Sequence, residues 1–401
     1  MSIHHNWHTR VRINAYRNWR WSFLALVAGL FFVHSVAAQR VVSVDECIAQ
    51  MREHSLYVKA EKSLLEAQKW EAVGMNGLPN PMLSMESPTG QFMTLGVTQT
   101  FDFPMRYVLQ HRQNKTMQSL AEVDFNLRLG QAEYQLERMY IETSYQLAYC
   151  KLTRDQDSVL HQLEQQCEEL FSKGIIGKLT RDMAVQKANS MRIKRLLAER
   201  ELAQSIGQLN RWSAWDTLSC PIALDVWQYQ DKTKGQGELY LKSSSFQLEQ
   251  SERAVRMAKQ QALPGLMLGY MNQGPRGNPA FYGFQVGVTV PVWWWSHRAK
   301  IKSSQQAYNA LNSRLQFEEQ QRVSIIQSST MQMQGLEQLS TEVALGEKSA
   351  VVLDASRLLE VGEIDFTAFV LLIDQSFMER EQWLQLKKEM FLLRSTLNYY
   401  N

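Results

Sequence analysis

Apolar side chains return every seventh position through Tyr107 to Ser172, a stretch with no proline and a single glycine, Gly130. Leu120, Leu127, Tyr134, Ile141 and Ala148 form one row; Tyr145, Leu152 and Val159 continue its neighbour, followed by Leu163 and Leu170. At about 1.5 Å per residue this predicts one helix roughly 100 Å long. A repeat of seven keeps a seam facing its neighbours only if helices wind left-handedly around one another, so the helix belongs to a coiled-coil-like assembly. The polar remainder, with Gln131, Glu133, Arg138, Glu142 and Gln146, faces water.

The period changes on the N-terminal side. Ser43 to about Val73 reads as a first helix, capped by Ser43 or Asp45, with Ile48, Met51, Leu56 and Leu64 to Leu65 on its face. Leu78-Pro79-Asn80-Pro81 then opens an extended segment, Met82 to Ser87, and Pro88-Thr89-Gly90 is a turn. Beyond it Met93, Leu95, Val97, Phe101 and Phe103 alternate with Thr94, Gly96, Thr98, Thr100 and Asp102. That alternation predicts a strand with one greasy and one small polar face, of a length that fits a transmembrane β-barrel.

After the long helix, Lys173-Gly174-Ile175-Ile176-Gly177-Lys178-Leu179-Thr180 reverses the chain, its two glycines permitting the turn and Thr180 capping the next helix. That helix, of half length, runs back from Arg181 to about Leu209. Trp212 to Gly237, with Trp212, Trp215 and Trp227 near Pro221, reads as an irregular packed region at mid-height, and Glu238 to Ala262 is helical again.

An internal repeat then appears. Leu78-Pro79-Asn80-Pro81-Met82-Leu83 returns as Leu263-Pro264-Gly265-Leu266-Met267-Leu268, and Leu95-Gly96-Val97-Thr98 as Val286-Gly287-Val288-Thr289. The second hairpin, about 264–292, sets Tyr282, Phe284, Val286, Val288 and Val290 against Gly283, Gln285, Gly287 and Thr289, with Gln273 to Pro279 as its loop. Trp293, Trp294 and Trp295 come next and suit a membrane-interface belt. A second long helix is expected over 297–360, a turn over 361–366, and a returning half-helix from Phe366 to Tyr400. The organisation is therefore a leader over 1–38, one unit over 39–236 and a second over 237–401, each unit holding half-helix, β-hairpin, long helix, turn and half-helix.

Composition sharpens this only in places. A formal charge of +3 argues against a dedicated nucleic-acid binder. Arg10, Arg12, Arg17 and Arg20 precede the apolar run Phe23 to Val33, and Ser35-Val36-Ala37-Ala38 offers small residues for cleavage, so an export signal is expected with the mature chain beginning near Gln39. No cysteine stands at that point, so lipid attachment there is not expected. Cys47, Cys150, Cys167 and Cys220 make no metal spacing and read as idle, buried thiols; His54, His111, His161 and His297 are scattered. No cofactor, metal site or catalytic constellation is expected, and the chain does not read as an enzyme.

The repeated Leu-Pro before each first strand, the Gly-Val-Thr strands, and the Gly177-Lys178-Leu179-Thr180-Arg181-Asp182 and Gly362-Glu363-Ile364-Asp365 turns resemble the outer-membrane efflux protein family, the TolC-like channel tunnels. The resemblance covers essentially the whole mature chain. It implies a mainly α fold with a small β part: a homotrimer sharing a 12-stranded outer-membrane β-barrel, continued by an α-helical periplasmic tunnel. Four strands alone leave two open edges in lipid, which independently requires closure between chains.

The resemblance further implies a passive exit duct in the outer membrane of a Gram-negative bacterium, extending into the periplasm. Its partners there are a periplasmic adaptor (membrane fusion) protein, an inner-membrane efflux pump and outer-membrane lipid. Gly177, Lys178, Leu179, Thr180, Gly362 and Ile364 take the place of the family's adaptor-docking tip. Glu363 and Asp365, present three times in a trimer, form an acidic entrance ring on this reading. The Asn80-Pro81 and Glu86-Ser87-Pro88 wording is similar to the heavy-metal-export branch; drugs, dyes and siderophore-like compounds are the other cargo classes. Met75, Met82, Met85 and Met93 near the first hairpin read as fillers of packing or lipid-facing space. The rival architecture is a periplasmic coiled-coil adaptor or scaffold whose hairpins belong to a soluble sheet.

Overall fold

The computed structural model describes residues 40–87, 90, 92–215, 219–231, 235–275, 281–342 and 363–401. The expected leader, Pro88 and Thr89 of the first turn, the last part of the second long helix (343–360) and Gly362 lie outside these residues. The elements in order are β1 (Arg40–Val42), α1 (Val44–His54), α2 (Leu56–Gly74), β2 (Met82–Glu86), β3 (Phe92–Phe101), α3 (Pro104–Ser172), α4 (Lys178–Ser213), β4 (Ser219–Pro221), α5 (Gly237–Gln260), β5 (Gly265–Pro275), β6 (Phe281–Thr289), α6 (Trp294–Glu342) and α7 (Phe366–Tyr400).

The heptad stretch is one helix of 69 residues, about 104 Å by its rise. It begins three residues before the expected start, because Pro104 occupies its first turn, where its missing N–H costs nothing and its fixed φ suits the helix. Tyr145, Ala148, Leu152, Leu160 and Leu163 are buried on its lower half; Leu120, Leu127 and Tyr134 of the predicted seam are only half-buried. The upper half instead buries small residues, among them Ala121, Val123, Gly130 and Ala132.

Helix α4 runs antiparallel to the lower half of α3. Arg154 reaches Glu199 at 2.9 Å, Arg195 reaches Asp157 at 2.9 Å and Arg181 reaches Glu168 at 2.8 Å, residue numbers rising on one helix as they fall on the other. Helix α5 covers the upper half of α3, fixed there by the Ser243 hydroxyl donating to Asp124 at 2.7 Å and by Arg253 bridging the Arg112 carbonyl and Thr116. Gly130 makes room for the Gln236 carboxamide, which lies 2.4 Å from where a Cβ would stand, so a larger residue there would have to displace that side chain. Thus two shorter helices, end to end, line the long one.

The segment expected as a single helix from Ser43 to Val73 is two. Ser43 caps α1 in a capping box with Glu46, its Oγ accepting from the Glu46 amide at 3.2 Å. Ser55 then takes an extended conformation, φ −62° and ψ 134°, and its hydroxyl accepts from the Tyr57 amide, which ends α1 and starts α2. The break turns Cys47, Ile48 and Met51 into the mid-height core while Leu56 stays outside.

That core joins β1, α1, α2, α3, α4, α7 and the chain after β4. Its largest fully buried member is Tyr140, whose hydroxyl donates to the Val42 carbonyl at 2.8 Å and accepts from the Ile222 amide at 3.0 Å. Trp227 meets Tyr140 and Phe391 edge-on, at 5.0 Å and 5.1 Å between centroids. Lys387 lies 5.2 Å from the Trp383 ring centre and donates to the Asp225 carbonyl at 3.0 Å. The mid-height region, expected to be irregular, therefore carries a regular pairing: β1 lies parallel to β4, Arg40 to Val42 against Ser219 to Pro221.

The remaining strands form one four-stranded antiparallel sheet in the order β2-β3-β5-β6. Strand β3 of the first hairpin pairs with β5 of the second over ten residues, from Phe92↔Pro275 to Phe101↔Leu266. Among the described residues, both outer strands keep one unpaired edge.

Candidate functional site

Three regions stand out: the sheet's two faces, the junction where β6 enters α6, and the paired turns at the far end of the rods.

Residues directly opposite in an antiparallel ladder share a face. The register therefore gathers Leu83, Val97, Tyr270 and Phe284 in one row, Met85, Leu95, Asn272 and Tyr282 in the next, and Phe101, Leu266 and Val288 in another. The apolar positions of this face in β5 and β6, Leu266, Leu268, Tyr270, Tyr282, Phe284, Val286 and Val288, are all exposed, up to 87% for Phe284, while Gln285 and Thr289 on the other face are exposed as well. A water-soluble sheet would hide this face. Gln99 and Asn272 interrupt it, and the Gln99 amide donates to the Pro79 carbonyl at 2.6 Å. The opposite face holds Ser84, Gly96, Thr98, Thr100, Gly269, Gln285, Gly287 and Thr289, with Met82, Met267 and Met271 among them. Met267 lies over Gly287, its Cε 2.8 Å from where a Cβ would stand. Met82 and Met85 thus face opposite sides of β2 and do not form a cluster.

Strands of ten and eleven residues, at about 3.3 Å each and tilted, match the height of a bilayer's apolar layer. No helix among the described residues is long and apolar enough to cross a membrane.

The tryptophans expected as a belt stand at the helix-joined end of β6. Trp293 precedes α6, while Trp294 and Trp295 form its first turn, so the helix starts before the predicted 297. All three are exposed, with Trp293 and Trp295 5.1 Å apart between centroids.

At the far end the two turns converge. Ile176 of the first and Ile364 of the second pack against the same buried cluster of Leu160, Leu163, Cys167, Ala184, Phe369 and Ile373. Gly174 adopts φ +72°, the left-handed region that favours glycine, and the Ile175 amide donates to the Leu170 carbonyl at 2.9 Å. Gly177 does not share that need: it is the N-cap of α4 at φ −79°, ψ 160°, and a Cβ added to it would meet no atom within 4 Å. Thr180, expected as the cap, lies inside the first turn and caps nothing, because the helix starts at Lys178. Leu179 is exposed beside it. Asp365 does cap α7, its carboxylate accepting from the Ala368 amide at 2.7 Å, and Glu363 is exposed two residues earlier.

Above the turns, α4 and α7 are tied by Lys187 to Asp374 and Lys194 to Glu381, seven residues further along each helix. The outer side of α4 bears Leu179, Met183, Ile193 and Leu197 at alternating steps of a heptad seam, all exposed. Sequence reading missed this seam because Gln186 and Ser190 interrupt its apolar run.

Among the described residues, no group of three or more His, Cys, Asp or Glu is placed to hold a metal ion. The four cysteines are buried free thiols. Burial pushes the Cys47 thiol up to about 12, far from reactive range.

No family model and no curated protein matches the chain. Solved structures do. The outer membrane protein VceC from Vibrio cholerae superposes with a TM-score of 0.72 at 13% identity, over 88% of this chain and 94% of that one. The Campylobacter jejuni CmeC outer membrane channel gives 0.72 at 12% identity, over 88% and 85%. The open state of the Neisseria gonorrhoeae MtrE outer membrane channel gives 0.70 at 11%, over 88% of each. At such identities the likeness is one of architecture, extending over most of both chains, so the fold of this chain is that of the TolC-like outer-membrane channels.

Proposed function

We propose that the chain is one third of an outer-membrane channel tunnel, a passive exit duct for small solutes in a tripartite efflux system. One observation carries the reading: an apolar sheet face turned outward, with both sheet edges unpaired, is spliced to rods about 100 Å long. In lipid such edges are prohibitive, so the sheet closes only with copies of itself, three of which give twelve strands. The exposed seam on α4 supports the same association lower down, since a neighbouring helix would cover it. Under this reading the rods stand in the periplasm of a Gram-negative cell.

The tip residues Gly177, Lys178, Leu179, Thr180, Gly362 and Ile364 receive the periplasmic adaptor, and through it the inner-membrane pump. Glu363 and Asp365 ring the entrance. Trp293, Trp294 and Trp295 mark the bilayer boundary. Heavy-metal cations are one cargo class on the sequence wording alone.

The test is ion conductance of the purified full chain in planar bilayers, together with its mass in detergent. Discrete conductance steps from a trimer are expected. A monomer that extracts without detergent and conducts nothing overturns the proposal in favour of a periplasmic scaffold. For docking, Gly177→Trp is the cleaner probe, because the site is open and its backbone is ordinary. It should abolish crosslinking to the adaptor while leaving conductance intact; undiminished crosslinking removes the docking role.

A further inference from the structure

The start of α6 carries three cations with no carboxylate near them in sequence. Arg298, Lys300 and Lys302 fall within its first three turns, and no Asp or Glu occurs between Glu252 and Glu318. The first turn of a helix favours carboxylates, and that of α6 offers none to answer the cations that follow it. The arginines elsewhere in α5 and α6 are answered: Arg253, Arg256, Arg314 and Arg322 each pair with a glutamate within their own helix. Among the described residues, Arg298, Lys300 and Lys302 have no such partner.

Position supplies the missing anion. Val286, Val288, Val290 and Val292 continue the exposed apolar face of β6 to its end; the three exposed indoles come next, then the three cations. Apolar side chain, indole, cation is the order of layers met on leaving a leaflet: acyl chain, carbonyl region, phosphate. Between α5, β6 and α6 lies a cleft of about 350 Å³, lined by Trp294, His297, Arg298, Ile301 and Lys302. Arg298 and Lys302, one turn apart, sit on the same side of it as the apolar Ile301.

We propose that this cleft binds the phosphate of an anionic phospholipid in the leaflet at the helix-joined end of the sheet, fixing the depth at which the barrel sits. The inference rests on the sheet spanning a bilayer, and goes beyond it in naming the lipid charge and the residues that read it.

The full chain is reconstituted in vesicles of phosphatidylcholine containing a few per cent of either brominated phosphatidylglycerol or brominated phosphatidylcholine, and quenching of tryptophan fluorescence is measured. The component of interest is the part that vanishes in the W293F/W294F/W295F variant. Brominated phosphatidylglycerol is expected to quench it with a preference on the order of tenfold, given about fivefold per surface cation. The preference should fall to near unity in R298Q/K300Q/K302Q, survive in R298K/K300R/K302R, and be unchanged in K151Q/R211Q, which removes exposed cations far from the sheet. Equal quenching by both lipids in the unaltered chain overturns the proposal while leaving the bilayer reading intact. So does a preference that persists in the triple glutamine variant. Conducting protein whose three tryptophans no brominated lipid reaches overturns it in favour of cover by a second copy. Quenching by neither lipid in chains that do not conduct sinks the membrane reading itself.

Discussion

Tyr140 is enclosed where seven segments meet, and its hydroxyl both donates and accepts inside the protein, to Val42 and from Ile222. Tyr140→Phe leaves a carbonyl and an amide unpaired, so a loss of about 1–3 kcal/mol is expected, read as a lowered midpoint in thermal or urea unfolding. The same burial sets an alkaline limit. Desolvation raises the phenols of Tyr140 and Tyr229 above their ordinary 10.0 and the Cys47 thiol from 9.0 to about 12. The folded state therefore holds these protons at pH values where the unfolded chain has released them. Their stabilising share is whole below about pH 9 and is lost as pH rises toward 12. Stability should be flat near neutrality and fall above about pH 9, less steeply in Tyr140→Phe. An alkaline fall as steep in Tyr140→Phe as in the unaltered chain would contradict the assignment. At the tip, Asp365→Ala removes a cap and should cost about 1 kcal/mol, whereas Thr180→Ala should leave unfolding unchanged, because Thr180 caps nothing.

Elements differ in how openly the sequence declares them. The long helix was legible because a seven-residue rhythm without proline admits few other structures, and the hairpins because their alternation is bracketed by Leu-Pro and Gly. The parallel pair of β1 and β4 was not, since three-residue strands leave no period to read. Nor was the break at Ser55, where helix-compatible residues on both sides conceal a serine that serves as stop for one helix and cap for the next. The first reversal at the rod ends was visible from its glycines, yet the local duties within it fall elsewhere: Gly174, not Gly177, carries the left-handed turn. The α4 seam shows the opposite case, a face that only the fold reveals to be without cover. Ile193→Glu with Leu197→Glu should weaken association between chains, at about 1.5–3 kcal/mol of lost burial per side chain. Sedimentation of the detergent-solubilised protein should show a shift from trimer toward monomer with helix content unchanged. An unaltered trimer would mean that the seam is not buried between copies.

For the molecule as a whole, the two sheet faces make opposed demands. Leu83 projects from the apolar face and Thr98 from the small polar one, although they belong to neighbouring strands. An arginine at Leu83 should cost about 2–4 kcal/mol if it meets hydrocarbon at mid-depth, and outer-membrane yield should drop accordingly. An arginine at Thr98 should leave yield near normal and alter single-channel conductance instead. Equal effects at both positions would argue that neither face meets lipid.

A sheet of only four strands with a bare margin on either side has a genetic corollary. Under the proposed threefold closure no copy completes its own wall, so a chain with one spoiled margin disables every assembly it joins. In a cell making equal amounts of sound and spoiled chains, only roughly one threefold ring in eight is built entirely of sound ones. Lesions along β2 or β6 should therefore behave as dominant alleles, and those confined to the mid-height core, which prevent a chain from folding before it joins any ring, as recessive ones.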